Sequence, residues 1–203
     1  MTATPATPDS APVVRKPRKI FLLVGLVLAV ALGIGLFTSV GTNDNNKTSG
    51  APHAGGPLPS FSGTDLNGSG QVSVPADGVG HGKAGVVLFF GNWCSVCHQE
   101  LPTLATAVRQ QQAAKGGLAR IEVVGVDSED TTANAKSFIH ASGVSFPVAY
   151  DPNLIITSGD FYFRGDPYAV FVKSDGTISK IARGPLTAAT FTADERALIP
   201  SGT

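Results

Sequence analysis

The residues best suited to chemistry in this chain are Cys94 and Cys97, its two cysteines. A disulfide that staples a fold gains most by closing a long loop, and a ring this short gains little. No further cysteine exists to build a framework, so the pair is read as reactive. Two chemistries use Cys-x-x-Cys: thiol–disulfide exchange and metal ligation. Zinc needs two more ligands, and His53, His81, His98 and His140 offer no H-x3–5-H pair. Copper delivery needs soft partners, and Met1 is the sole methionine. Neither metal nor cofactor is expected. A thiol peroxidase needs a lone cysteine in a Pro-x-x-x-Thr-x-x-Cys setting, which neither cysteine has. Two unrelated buried cysteines are the plainest alternative. The adjoining Trp93 and the local element order argue against that.

That order places the pair. Residues 85–90, GVVLFF, form a short apolar run between glycines and predict a buried central strand. A helix is predicted from about Cys94 to Ala114, with Leu101, Leu104 and Val108 on one face and Gly116-Gly117 at its end. Cys94 then stands at a helix N-terminus, where unpaired N–H groups and the helix dipole favour a thiolate, the attacking species. Cys97 follows one turn later, less exposed, placed to attack the mixed disulfide from within. Pro102 is expected to kink this helix.

The other elements follow from period and turn residues. Residues 58–75 read as an N-terminal β-hairpin around Asn67-Gly68. Residues 120–126, RIEVVGV, predict a strand, and Asp127-Ser128-Glu129-Asp130 offers caps for a helix near 131–142, stopped by Gly143. An extended piece at 144–150 and a short helix within 152–162 come next. Val170-Phe171-Val172 and 177–181 flank Ser174-Asp175-Gly176, a hairpin signal. A last helix covers about 187–199. This order predicts an α/β fold: a central mixed β-sheet flanked by helices, with an N-terminal β-hairpin extension.

The N-terminal quarter reads differently. Residues 20–40 hold 21 positions without a charge, enough to span a bilayer core as a helix. Arg15, Lys16, Arg18 and Lys19 precede them, predicting a cytoplasmic N-terminus and an exported C-terminal part. The expected organisation is a cytoplasmic tail (1–19), a transmembrane anchor (20–40), a flexible linker (41–57) and a folded domain (58–203). A cleaved signal peptide is the competing reading, but the apolar run is long for one and no clear cleavage site follows. The chain has zero formal net charge and 42% apolar residues. That excludes a strongly basic nucleic-acid binder and a highly charged disordered chain.

Residues 58–184 resemble the TlpA/ResA-like branch of the thioredoxin superfamily. Trp93-Cys94-x-x-Cys97-x-x-Glu100-x-Pro102 is similar to its W-C-x-x-C-x-x-E-x-P signature. Arg164-Gly165-Asp166-Pro167, followed by Val170-Phe171-Val172 and Asp175-Gly176, resembles its second signature. The resemblance implies a thioredoxin-like fold and a thiol–disulfide oxidoreductase, with Cys94 attacking and Cys97 resolving. It implies that Pro167 is a cis-proline facing the disulfide and that the Asp166 backbone pairs with an extended substrate. Glu100 then lies near the cysteines and modulates their proton exchange, the alternative being an exposed first-turn acid. Trp93 shields the disulfide. His98 is expected to be a solvated helix residue.

Three departures stand out. Val96 stands where the branch often has proline. Tyr168 stands where a small hydroxyl residue is usual. Leu88 occupies the place of the buried Asp of cytoplasmic thioredoxins, which leaves Glu100 as the nearer proton acceptor. The implied partners are protein thiol or disulfide substrates and a membrane electron donor or acceptor. The favoured reading is a monomeric, single-pass, membrane-anchored reductase of the cytochrome c maturation type, its redox domain on the extracytoplasmic side. Ser95-Val96 adds no charge and no histidine between the cysteines, whereas a strong oxidant needs extreme thiolate stabilisation. The alternatives are an oxidase that forms disulfides in secreted proteins, and a non-enzymatic binding module or copper chaperone on the same fold.

Overall fold

The computed structural model describes residues 50–75, 78–115 and 120–199. These belong to one compact unit, Asn45–Thr203. The expected tail, the apolar segment at 20–40, most of the linker and Gly116-Gly117 lie outside the described residues. Among the described residues no helix is long and apolar enough to cross a membrane.

The chain runs through β1 (Phe61–Thr64), β2 (Gln71–Val74), β3 (Gly85–Phe90), α1 (Ser95–Ala113), β4 (Glu122–Ser128), α2 (Thr132–Ala141), β5 (Val148–Asp151), a π-helical turn (Ile155–Asp160), β6 (Tyr168–Val172), β7 (Ile178–Arg183) and α3 (Ala188–Arg196). β1 and β2 form the separate antiparallel hairpin. The other strands make one sheet in the order β5-β4-β3-β6-β7. β3, β4 and β5 are parallel, and β6 and β7 are antiparallel to their neighbours. The mixed sheet is the one predicted.

β3 is buried along its whole length. It feeds both faces of the sheet because strand side chains alternate. Val86, Leu88 and Phe90 pack with Leu101, Leu104 and Val108 of α1 and with Phe138 of α2. Val87 and Phe89 face the other core, with Phe61, Phe161 and Phe163. There the Phe89 ring meets Phe161 at 4.8 Å and Phe163 at 5.0 Å, both edge to face. Burying each such side chain is worth roughly 1.5–3 kcal/mol.

Three expectations need correction. The strand predicted at 120–126 runs instead from Glu122 to Ser128, because pairing with β3 and β5 carries it through polar Asp127 and Ser128. Those two residues are therefore not helix caps. Thr131 caps α2, its side chain accepting from Asn134 N. The extended piece at 144–150 narrows to β5, a full edge strand. The π-helical turn lies inside the stretch expected to hold a short helix. It starts at Leu154 in the left-handed region, and the Asp151 carboxylate accepts from Ile156 N and Thr157 N at 3.1 and 2.7 Å.

The start of the described chain is stitched to β7 and the turn before it. Gly55 N donates to Ile178 O, Ile178 N to Gly56 O and Leu58 N to Gly176 O, at 2.8, 2.8 and 2.9 Å.

α3 buries Glu195 completely, and its carboxyl oxygens have no hydrogen-bond partner among the described residues. Burial pushes this carboxyl up to about 7, from an ordinary 4.5. The fold therefore keeps a proton that the unfolded chain releases. Stability from this group is full below about pH 4.5 and is lost as pH rises through about 7. Glu195→Gln is expected to raise stability at pH 8 by about 2 kcal/mol, allowing for the buried amide, and to change it little at pH 4. Urea unfolding at the two pH values measures this.

Candidate redox site

The site forms where β3 ends and α1 begins. Cys94 is the N-cap of α1, in extended backbone, and Cys97 N donates to its Sγ at 3.1 Å. The sulfur therefore does the work of a capping oxygen, at the helix end where an anion is stabilised. Cys94 and Cys97 are joined as a disulfide, with Cα atoms 5.2 Å apart. Cys94 is 5% exposed and Cys97 1%, so Cys94 is the sulfur a substrate can reach first.

Each residue singled out in the sequence has a definite place. Asp166-Pro167 is a cis peptide. The Asp166 carbonyl lies 3.7 Å from Cys94 Sγ, so the second signature does face the first. Glu100 is buried rather than an exposed first-turn acid, and its Oε1 accepts from Leu186 N at 2.7 Å. Burial pushes its carboxyl above the ordinary range, and the Leu186 N–H pulls the other way. Glu100, Cys97 and Pro167 line one void of about 10 Å³, about the room one water needs. That arrangement can pass a proton between the Glu100 carboxyl and the Cys97 sulfur. Pro102 lies inside α1. Lacking an N–H, it cannot pair with the carbonyl one turn back, His98 O.

Trp93 is 46% exposed, and its indole N–H donates to Ser128 O at 2.8 Å. It is pinned to the end of β4 beside the disulfide. His98 is exposed, as expected, yet it is not simply solvated. Its Nε2 lies 2.7 Å from Asn92 O, and its ring packs on Phe138 at 4.5 Å. Tyr168 stacks on Phe163 at 4.0 Å, with the Arg183 guanidinium 5.7 Å from its ring centre.

The segment Asp127–Asp130 was missed as part of the site. Ser128 is fully buried. Its carbonyl takes the Trp93 indole, and its hydroxyl donates to Asp166 Oδ2 at 2.5 Å. The Asp130 carboxylate accepts from Asn92 N, also at 2.5 Å. Asp127 is fully buried, and both its oxygens lack a hydrogen-bond partner among the described residues. Burial, with Asp130 and Asp166 nearby, pushes its carboxyl up to about 8. Asp166 is pushed up to about 6 by burial, against the Ser128 hydroxyl, with Asp151, Asp130 and Glu129 adding to the rise. The available sequence signal was an acid-rich run directly after a strand. That pattern is equally a helix-cap signature.

Residues 54–181 match the family model described as the AhpC/TSA family. Among relatives, the thiol-disulfide oxidoreductase ResA of Bacillus subtilis (strain 168) is 24% identical over 175 residues, covering 85% of this chain and 89% of that protein. The thiol:disulfide interchange protein CycY of Rhizobium leguminosarum bv. viciae is 31% identical over 120 residues, covering 58% and 60%. Among solved structures, a thioredoxin family thiol:disulfide interchange protein from Chlorobium tepidum TLS superposes with a TM-score of 0.60 at 25% identity, over 74% of this chain and all of that one.

Gly91 is what lets Trp93 reach Ser128. A Cβ at Gly91 would sit 2.9 Å from Ser128 O and overlap the indole. Gly91→Ala is expected to displace Trp93 and to lower stability by about 1–3 kcal/mol. Trp93 is the chain's one tryptophan, so its fluorescence should shift to the red in the native state of that variant.

Proposed function

The chain belongs to the AhpC/TSA family and is a ResA/TlpA-like thiol–disulfide oxidoreductase of the thioredoxin superfamily; we propose that it reduces disulfides of exported proteins while anchored to a membrane. The observation that carries this reading is the Cys94–Cys97 pair at the start of α1. The Cys94 sulfur takes a helix N–H on one side and faces the Asp166 carbonyl on the other.

In the reducing direction the Cys94 thiolate attacks one sulfur of a substrate disulfide. A Cys94–substrate disulfide forms, and the first substrate sulfur leaves as a thiolate and takes a proton. Cys97 then loses its proton, with Glu100 and one water in the adjoining void as the nearby acceptor. The Cys97 thiolate attacks Cys94 Sγ, and the second substrate sulfur leaves and is protonated. The substrate has gained two electrons and two protons, and the chain holds the Cys94–Cys97 disulfide. A donor of two electrons must reopen it, and outside the cytoplasm that donor is expected in the membrane.

The neutral Ser95-Val96 between the cysteines supports the reducing direction, because a strong oxidant depends on extreme thiolate stabilisation. The resemblance to the TlpA/ResA-like branch supports disulfides of proteins in cytochrome c maturation as the substrate class. Val87 and Gly91 stand seven and three residues before Cys94, where a peroxidase of the Pro-x-x-x-Thr-x-x-Cys kind has proline and threonine. Their presence supports dithiol exchange over peroxide reduction. The apolar segment at 20–40, behind four basic residues, supports a single-pass anchor with residues 58–203 outside.

Three measurements test this. Cys97→Ala should accumulate mixed disulfides between Cys94 and partner proteins and lose insulin reduction; a variant that traps nothing and keeps full activity would refute the exchange mechanism. The reduction potential should lie below about −150 mV, and a higher value would favour the disulfide-forming alternative. Protease added outside spheroplasts should digest residues 58–203, and full protection would reverse the proposed orientation.

A further inference from the structure

We propose that Asp166, backed by the buried Asp127, is a positioning residue that opposes ionisation of Cys94 and so makes the Cys94–Cys97 pair a stronger reductant. The inference rests on the reading of Cys94 as the attacking thiol.

The geometry is direct. The Asp166 carbonyl lies 3.7 Å from Cys94 Sγ, and the carboxyl carbon of the same residue is three bonds from that carbonyl carbon. Ser128 holds that carboxyl from one side, through Oδ2. The other oxygen, Oδ1, is buried and has no hydrogen-bond partner among the described residues. Asp127 pairs in register with Phe90, the last residue of β3. Directly opposite residues share a face of the sheet, and Phe90 lies in the cluster that holds both cysteines. Asp127 thus brings a second buried carboxyl to the cysteine side, with no hydrogen-bond partner for either oxygen among the described residues.

The groups acting on Asp166 are the Ser128 hydroxyl and the acids Asp151, Asp130 and Glu129, and Asp166 in turn acts on Asp127. From α1, His98 acts on Asp130. The surroundings of Asp166 are thus acidic. Two like charges cannot both be held cheaply in such a place. With Asp127 keeping its proton to about pH 8 and Asp166 to about pH 6, the pair carries one negative charge at neutral pH, on Asp166.

That charge works against the helix N-terminus. Reducing the disulfide takes two electrons and two protons, or one proton where Cys94 remains a thiolate. Whatever stabilises the thiolate stabilises the reduced form and raises the potential. The Cys97 N–H on Cys94 Sγ does this. An ionised Asp166 does the reverse, and does so only above the pH at which it ionises.

The test uses iodoacetamide alkylation of Cys94 as a function of pH, in a Cys97→Ala background where Cys94 is the sole thiol. The profile should show a shoulder near pH 6, where Asp166 ionises, beneath the main thiol step. Asp166→Asn, whose amide oxygen can still accept from Ser128, should abolish the shoulder and move the main step down by about one unit. That gives about tenfold faster alkylation below the midpoint. With both cysteines present, the same substitution should shift the glutathione equilibrium about tenfold toward the dithiol. Ser128→Ala should move the shoulder to higher pH, since the hydroxyl that favours the Asp166 carboxylate is then gone. This second variant decides the question if Asp166→Asn does not fold. A purely structural role would lower the melting temperature and leave the alkylation profile unmoved, and an unmoved profile overturns the proposal. A wild-type potential above the limit set for the reductase reading would instead overturn that reading and leave the alkylation comparison standing.

Discussion

The two halves of the redox site meet on Ser128. Its carbonyl receives the Trp93 indole from the strand-to-helix loop, and its hydroxyl reaches Asp166 on the loop before β6. No regular element joins those loops directly. β3 and β6 are hydrogen-bonded neighbours, but the residues that face each other across the disulfide lie beyond the paired stretch. Their separation is set from behind, by a fully buried residue at the end of a third strand. Gly91 belongs to the same constraint, since any larger side chain there would fill the space the indole crosses.

The exchange chemistry depends on opposed influences around one sulfur. α1 presents Cys97 N–H to Cys94 and favours negative charge there. The opposite side offers a carbonyl and a set of carboxyls. Cys97 sits deeper, next to the Glu100 carboxyl, whose oxygen is tied to Leu186 N just ahead of α3. The two cysteines therefore have different proton partners, as their different tasks require. One must be charged to begin the reaction, and the other must become charged only midway.

Much of this was legible in the sequence, for identifiable reasons. β3 was visible as a continuous apolar run and α1 as a helical stripe of Leu101, Leu104 and Val108. Both hairpins carried turn residues at the right offsets. The facing of Asp166-Pro167 and the cysteines came from motif resemblance, since no local rule connects positions 72 residues apart. The site behind the disulfide was not legible. Asp127 and Ser128 are polar, follow an apolar run and precede a helix, so propensity assigns them to a cap. Strand pairing overrode that preference. Glu195 was hidden likewise, because an acid between Asp194 and Arg196 in a short helix gives no sign of being buried. Neither residue could be placed without knowing what packs over it.

The stitching of Gly55, Gly56 and Leu58 to the start of β7 has a geometric consequence. Ile178 pairs with Val172, at the end of the sheet remote from the cis-proline loop, whereas Arg183 pairs with Tyr168 beside that loop. The described chain thus enters at one pole and reacts at the other, some five residues of strand away, about 17 Å. Any protein that docks on Cys94 therefore meets the end of the sheet opposite the one where residues 55–58 are held.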